Sequence, residues 1–221
     1  MVCIVFEGLL KPSSVVLNLH NEGSRLIKNV TETVIRHFFY SNRNMKILAL
    51  IGSPRIGSNT DILVDRVLHG AQSFGHAAEK IYLYNYRILP CIDCRRCKKD
   101  DFTCHLLDGM SEIYPKLEEA DLIVFGTPVY WYGPTAKTKL LIDRMRPFIA
   151  SGKLKGKRGV VVTPSEEGEP CCGPLMEMFR MSFEYLGMTY AGSILAKAYE
   201  RGEVRDNEEE LKRAYELGAS L

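Results

Sequence analysis

The sequence predicts an α/β protein: a doubly wound, five-stranded parallel sheet of order 2-1-3-4-5, with a cysteine-rich surface insertion. Three observations predict it. From Met45 onward, short apolar runs alternate with segments whose apolar residues recur at helical spacing. The strongest run is continuously apolar, which marks a strand covered on both faces. A turn rich in glycine and hydroxyls follows it at once, as where a strand hands over to a helix.

The elements follow in order. Residues 1–44 read as an N-terminal extension, in which Leu26, Ile27, Val30, Val34, Ile35 and Phe38 predict one amphipathic helix. That stretch is either a docking element or sequence upstream of a start at Met45; residues 45–221 are the main domain. KILALI (46–51) is the first strand, followed by the turn GSPRIGSNT and a helix carrying Ile62, Leu63, Val67 and Leu68. KIYLY (80–84) is the second strand and 122–125 the third, ahead of Gly126. A helix over 134–149 has Pro134 near its first turn, where a missing N–H costs nothing. Residues 159–162 are the fourth strand, 173–186 a helix and 189–195 the fifth strand. The charged stretch 206–217 is a surface helix, with Asp206 as its cap and glutamates at the positive end of its dipole. Five such strands fit the flavodoxin-like order, which seats ligands beyond the carboxyl ends of the strands at the switch point between strands 1 and 3. The site is therefore expected in the loops after 51, 126 and 162.

Composition excludes several classes. With 46% hydrophobic and 25% charged residues, the chain is not collagen-like, disordered or a coiled coil. A net charge of +2 demands neither nucleic acid nor an anionic membrane as partner. No apolar run approaches the roughly 18 residues of a spanning helix. The opening MVCIVFEGLL has no basic segment and carries Glu7, so it does not read as a signal peptide, and a cytoplasmic location is expected. There is no HExxH motif, Ser-His-Asp arrangement or paired catalytic carboxylate, and no residue is assigned as catalytic.

The loop Gly52–Thr60 lies between a buried strand and a helix, whose first N–H groups and dipole favour phosphate. Ser53, Ser58, Asn59 and Thr60 add hydroxyl and amide groups, and Arg55 adds charge. Lacking the lysine of a P-loop and the spacing of a dinucleotide fingerprint, it suits a terminal monophosphate such as that of FMN. The plainer reading is a glycine-rich turn capped by Asn59 or Thr60. The loop after the third strand, from Gly126 to Pro134, carries Tyr130, Trp131 and Tyr132. Aromatics on a loop fixed by a rigid sheet read as binding groups for a planar heterocycle, or else as a satellite cluster or oligomer contact.

Seven cysteines are present, four of them within residues 91–104. In a reducing compartment, clustered thiols point to metal or redox chemistry. Cys91, Cys94, Cys97 and Cys104 follow C-x₂-C-x₂-C-x₆-C, compact enough to wrap one iron–sulfur cubane. Structural zinc more often uses two C-x-x-C knuckles on a longer arm. A [4Fe–4S] cluster, a zinc site and unligated redox thiols all remain open on spacing alone. Arg95, Arg96, Lys98 and Lys99 would offset the charge of a cluster, and Asp93, Asp100 and Asp101 act against them. His105 is either a replacement ligand or a solvated side chain. Cys171 and Cys172 are too close for an unstrained disulfide and read as incidental.

GSPRIGSNT, the cysteine spacing and EEADLIVFGTPVYWYGPTAKTKLLIDR together resemble the NADPH-dependent FMN reductase superfamily, and within it the iron–sulfur flavoproteins of anaerobic archaea and bacteria. The resemblance spans about residues 45–200. It implies that Ser53, Arg55, Ser58, Asn59 and Thr60 hold the FMN phosphate, and that Thr127, Pro128, Val129, Tyr130 and Trp131 line the isoalloxazine ring. The loop from Thr163 would close the ring's other edge, and Cys91, Cys94, Cys97 and Cys104 would hold one [4Fe–4S] cluster. The implied activity is that of an FMN-dependent oxidoreductase coupling a one-electron donor such as ferredoxin to a two-electron acceptor such as a quinone, O₂ or peroxide. The resemblance also implies a homo-oligomer, dimer or tetramer, with no nucleic acid or membrane partner. Two alternatives stand beside it: an NAD(P)H-dependent FMN or quinone reductase without a cluster, and a zinc-stapled binding module without catalysis.

Overall fold

The computed structural model describes residues 44–99 and 101–221; the helix expected over 26–38 lies outside the described residues. Strands β1 (Lys46–Ile51), β2 (Ala77–Tyr82), β3 (Leu122–Gly126), β4 (Arg158–Ser165) and β5 (Thr189–Lys197) pair in parallel in the order β2-β1-β3-β4-β5. This is the predicted doubly wound sheet. Ile51 pairs with Gly126, Gly126 with Val162 and Val162 with Ile194, so these strands reach the same row of the sheet. Their loops therefore leave the sheet on one side, where the switch point between β1 and β3 opens a crevice.

Side chains alternate along each strand, and both faces are covered. Leu48, Leu50, Ile123, Phe125 and Val161 face one core, packed by α2 (Met110–Glu119), α3 (Ala136–Asp143), α4 (Arg146–Ser151) and α5 (Gly173–Leu186). Its centre is aromatic: Phe125 lies 5.3 Å from Phe179 and 5.5 Å from Phe183, ring centroid to centroid. Ile47, Ala49, Ile51, Val124, Val160 and Val162 face the other core, under α1 (Asn59–Ser73) and α6 (Glu208–Ala219). Each large aliphatic side chain so buried contributes roughly 1.5–3 kcal/mol. Helices α1 and α6 approach so closely that a Cβ on Gly218 would collide with the Val67 carbonyl oxygen.

Several boundaries differ from the sequence reading, each for a physical reason. Strand β2 starts three residues early and stops at Tyr82, because Leu83–Asn85 closes into a 3₁₀ turn. As the edge strand β2 is only partly buried, so it lacks a continuous apolar signal. Helix α2 has no counterpart in that reading: Pro115 interrupts a short stripe of Met110, Ile113 and Leu117, all buried. The single helix over 134–149 is two helices. Pro147 has no N–H to continue the ladder, and the backbone turns at Arg144 and Met145. Pro134 precedes the cap Thr135, whose hydroxyl accepts from Thr138 N. The cap of α6 is Asn207, which accepts from Glu210 N at 3.2 Å, and Asp206 lies in the 3₁₀ turn before it.

Candidate functional site

A cleft of about 250 Å³ opens at the carboxyl ends of β1, β3, β4 and β5. One wall is the β1 loop, tied to β3 by Gly52 N donating to Gly126 O at 2.7 Å. Gly52 is needed here, because a Cβ would collide with Thr138 Oγ1. Within the loop the Ser53 hydroxyl lies 3.0 Å from that of Ser58 and accepts from Arg55 N at 3.2 Å. Gly57, at φ +69°, donates its N–H to Asp61 at 2.7 Å. Burial pushes the Asp61 carboxyl up, but Lys80, the Gly57 N–H and Tyr82 outweigh it and hold it below its ordinary value. Ser58 makes no side-chain cap to α1, which leaves the first turn of that helix open to an outside acceptor.

The cleft brings together eight of the residues expected there: Ser53, Arg55, Ser58, Asn59, Thr60, Pro128, Val129 and Tyr130. Three others stand apart from its lining. Thr127 is fully buried, and its hydroxyl donates to Pro128 O at 3.1 Å and accepts from Thr135 N at 3.0 Å. It shapes the β3 loop from behind. Trp131 is 96% exposed at the tip of a two-residue hairpin closed by reciprocal Tyr130–Gly133 backbone hydrogen bonds of 2.8 and 3.0 Å. Thr163 is fully buried in β4, and its hydroxyl finds no partner among the described residues.

Ser165, which ends β4, and Glu166 lie in the loop expected from Thr163, and two further lining residues carry no sequence motif: Tyr199 and Arg201 after β5. The rule that every strand end in such a sheet contributes to the crevice is the signal that finds them. Asn59 anchors the β5 loop. Its amide donates to Glu200 O at 2.7 Å and accepts from Val204 N at 3.2 Å. Arg201 and Arg205 donate to the Ile56 and Gly57 carbonyls at 2.7 and 3.1 Å. The β1 and β5 loops are thus fastened together around the cleft, with Arg55 and Arg201 supplying positive charge. Hydroxyls, two guanidinium groups and an open helix start at one end, with Pro128, Val129, Tyr130 and Pro164 beyond, fit a phosphorylated planar heterocycle.

The cysteine segment follows β2. Cys97 is buried, Cys91 and Cys104 are half-buried and Cys94 is exposed. Burial pushes the Cys97 thiol up, and the neighbouring thiols of Cys104, Cys91 and Cys94 push it further, with Arg146 opposing. Among the described residues, no three His, Cys, Asp or Glu side chains stand close enough to hold a single metal ion. A cubane takes each thiolate on a different iron, and four cysteines are the donor set it needs. His105 Nδ1 lies 3.6 Å from Cys94 Sγ. Cys171 and Cys172 direct their thiols to the Gly168 carbonyl at 3.4 and 3.3 Å.

One residue near the cysteines has no sequence signal. Arg144 is buried, yet its guanidinium binds both flanks of the segment: Leu89 O at 2.8 Å before it, and Asp108 at 2.6 and 3.2 Å after it. The same group reaches Cys104 Sγ at 3.4 Å.

Comparison with known proteins agrees with this geometry. The family model described as NADPH-dependent FMN reductase matches residues 45–200. An iron–sulfur flavoprotein of Methanocaldococcus jannaschii is 39% identical over 126 residues, covering 56% of this chain and 65% of that protein. The chain thus spans just under two thirds of that relative. An iron–sulfur flavoprotein of Archaeoglobus fulgidus is 31% identical over 180 residues, covering 80% of this chain and 79% of that protein. The solved NAD(P)H:quinone oxidoreductase from Methanothermobacter marburgensis superposes with a TM-score of 0.64 at 20% identity, over 80% of this chain and 96% of that one, and shares its fold. The chain belongs to the NADPH-dependent FMN reductase family, among relatives named iron–sulfur flavoproteins.

Proposed function

We propose that this chain is an electron-transfer flavoprotein. It holds FMN in the cleft between the β1, β3, β4 and β5 loops, and one [4Fe–4S] cluster on Cys91, Cys94, Cys97 and Cys104. The observation that carries the reading is the cleft itself, with hydroxyls and guanidinium groups at an uncapped helix start and apolar walls beyond. Ser53, Ser58, Thr60 and Arg55 would bind the phosphate, and Arg201 would neutralise it from the opposite loop. Pro128, Val129 and Tyr130 would orient the ring and exclude water from one side. Thr127 would act from behind, by fixing the Pro128 carbonyl. Bound FMN supplies hydride or single-electron transfer, and a cluster supplies single electrons, which together match a carrier such as ferredoxin to a two-electron acceptor such as a quinone, O₂ or peroxide.

The compact spacing of the four cysteines supports the cluster, as do the names of the two iron–sulfur relatives. Among the described residues no helix is long and apolar enough to cross a membrane. We take the protein to be a cytoplasmic homo-oligomer without nucleic-acid or membrane partners, a reading the near-balanced net charge of +2 supports. The second reading is an NAD(P)H-dependent FMN or quinone reductase without a cluster, favoured by the description of the matching family.

Two measurements test the proposal. FMN added to apoprotein should bind at one per chain, and binding should weaken in Arg55→Ala and in Arg201→Ala. Reduced ferredoxin should then reduce the bound flavin much faster than NADPH does. Rapid reduction by NADPH in protein free of iron would establish the second reading. Zinc-containing protein that binds no flavin would leave only a binding module.

A further inference from the structure

We propose that Arg144 is a positioning residue for the cysteine site: its buried guanidinium donates to the sulfur of Cys104 and raises the reduction potential of whatever cluster that sulfur ligates. This rests on the reading that Cys104 is one of four cluster ligands. Arg144 is 1% exposed, whereas most of the other described arginines reach solvent. Four of its five N–H groups have defined acceptors. Nη1 donates to Leu89 O at 2.8 Å and Asp108 Oδ2 at 2.6 Å, and Nη2 donates to Asp108 Oδ1 at 3.2 Å and Cys104 Sγ at 3.4 Å. The fifth, Nε, finds no acceptor among the described residues. Tyr114 donates to the Arg144 carbonyl at 2.7 Å and holds the backbone that carries the fork.

A purely structural ion pair would be complete with the carboxylate and the Leu89 carbonyl. The remaining Nη2–H is aimed at a ligand sulfur instead. Hydrogen bonds to ligand sulfurs and nearby positive charge both favour the reduced, more negative state of a cluster, and so raise its potential. Asp108 opposes this. Its carboxylate shares the same guanidinium, and both its oxygens accept from the chain, from Leu89 N at 2.7 Å and Met110 N at 3.0 Å. The two residues should therefore move the potential in opposite directions.

The test is redox titration of anaerobically purified holoprotein, read by EPR of the reduced cluster, with iron and sulfide determined for every sample. Arg144→Lys keeps a cation but loses the fork, and the midpoint potential should fall. Asp108→Asn leaves the guanidinium to the sulfur, and the potential should rise. Iron content should stay at the wild-type value in both. Opposite shifts cannot come from general loosening of the segment. Iron retained with an unchanged potential and spectrum in both variants would overturn the role of Arg144 while leaving the cluster standing. Wild-type protein without iron and sulfide would overturn the cluster reading, and this inference with it. If either variant fails to fold, the triple Arg95→Lys, Arg96→Lys, Arg146→Lys protein, which removes the other arginines beside the cysteines, is labelled with ¹⁵N-guanidino arginine and its reduced cluster examined by pulsed EPR. A nitrogen coupling is then expected from Arg144, and its absence would overturn the inference.

Discussion

Arg144 and Asp108 form an ion pair closed at 2.6 Å, with each side chain only 1% exposed. They lie 36 residues apart, and between them they fasten both flanks of the cysteine segment to the end of α3. Burial pushes the Asp108 carboxyl up, but Arg144 and the N–H groups of Leu89 and Met110 outweigh it and hold it below its ordinary value. The pair is thus ionised at neutral pH, and its desolvation is offset only while both partners are present.

Removing one partner should therefore be costly. Asp108→Ala leaves a buried guanidinium without its carboxylate, and about 3–5 kcal/mol of stability should be lost. Arg144→Met leaves the converse. The double variant should cost clearly less than the sum of the two, because neither charge is then stranded. Urea unfolding of all four proteins closes the cycle. Simple additivity would show that the pair does not act as a unit.

Asn59 should matter to FMN through the loop it holds rather than through capping. Asn59→Ala removes two hydrogen bonds to the β5 loop and frees Tyr199 and Arg201 from the cleft wall. The expected effect is a roughly tenfold rise in the Kd for FMN, equivalent to about 1.4 kcal/mol. Equilibrium titration of apoprotein by flavin fluorescence measures it. An unchanged Kd would separate the β5 loop from the site.

The hairpin tip stores backbone strain. Trp131 and Tyr132 sit at φ +49° and +61°, a left-handed conformation that costs a side chain of this size roughly 1–2 kcal/mol. Tyr132→Gly should relieve it and raise stability by about 1 kcal/mol, visible as a higher Tm. FMN affinity should not change, since Tyr132 lies outside the cleft lining. A lower Tm would mean that the exposed ring contributes more than its backbone costs.

His76 makes stability sensitive to mild acid. It is buried, its Nδ1 accepts from Met45 N at 3.4 Å, and burial together with Arg158 holds its pKa below the ordinary 6.5. The unfolded chain then binds a proton more readily than the folded one. The contribution of His76 is complete above pH 6.5 and is lost as pH falls through that value toward the lower folded-state value. His76→Gln should flatten this part of the stability–pH profile. An unaltered profile would remove His76 as its source.

Much of the fold was legible because a sheet covered on both faces leaves continuous apolar runs, and KILALI and the runs at 122–125 and 159–162 are such runs. Edge strand β2 and helix α2 were blurred or hidden, the first by partial burial and the second by Pro115. The β1 and β3 loops announce themselves through glycine, hydroxyl and aromatic content. Tyr199 and Arg201 do not, because only the register of β5 brings them to the cleft. Arg144 is the clearest omission. A charged residue in an amphipathic stretch reads as solvated, and nothing local shows that it turns inward to meet a carboxylate 36 residues away.

The most direct test of the account is the FMN, iron and acid-labile sulfide content of protein purified without oxygen, for wild type and Cys97→Ser. Wild type should carry one FMN and about four iron and four sulfide per chain, as one cubane requires. Cys97→Ser should lose the iron and sulfide and keep the FMN. Wild-type protein without flavin, or iron that survives Cys97→Ser at full content, would contradict it.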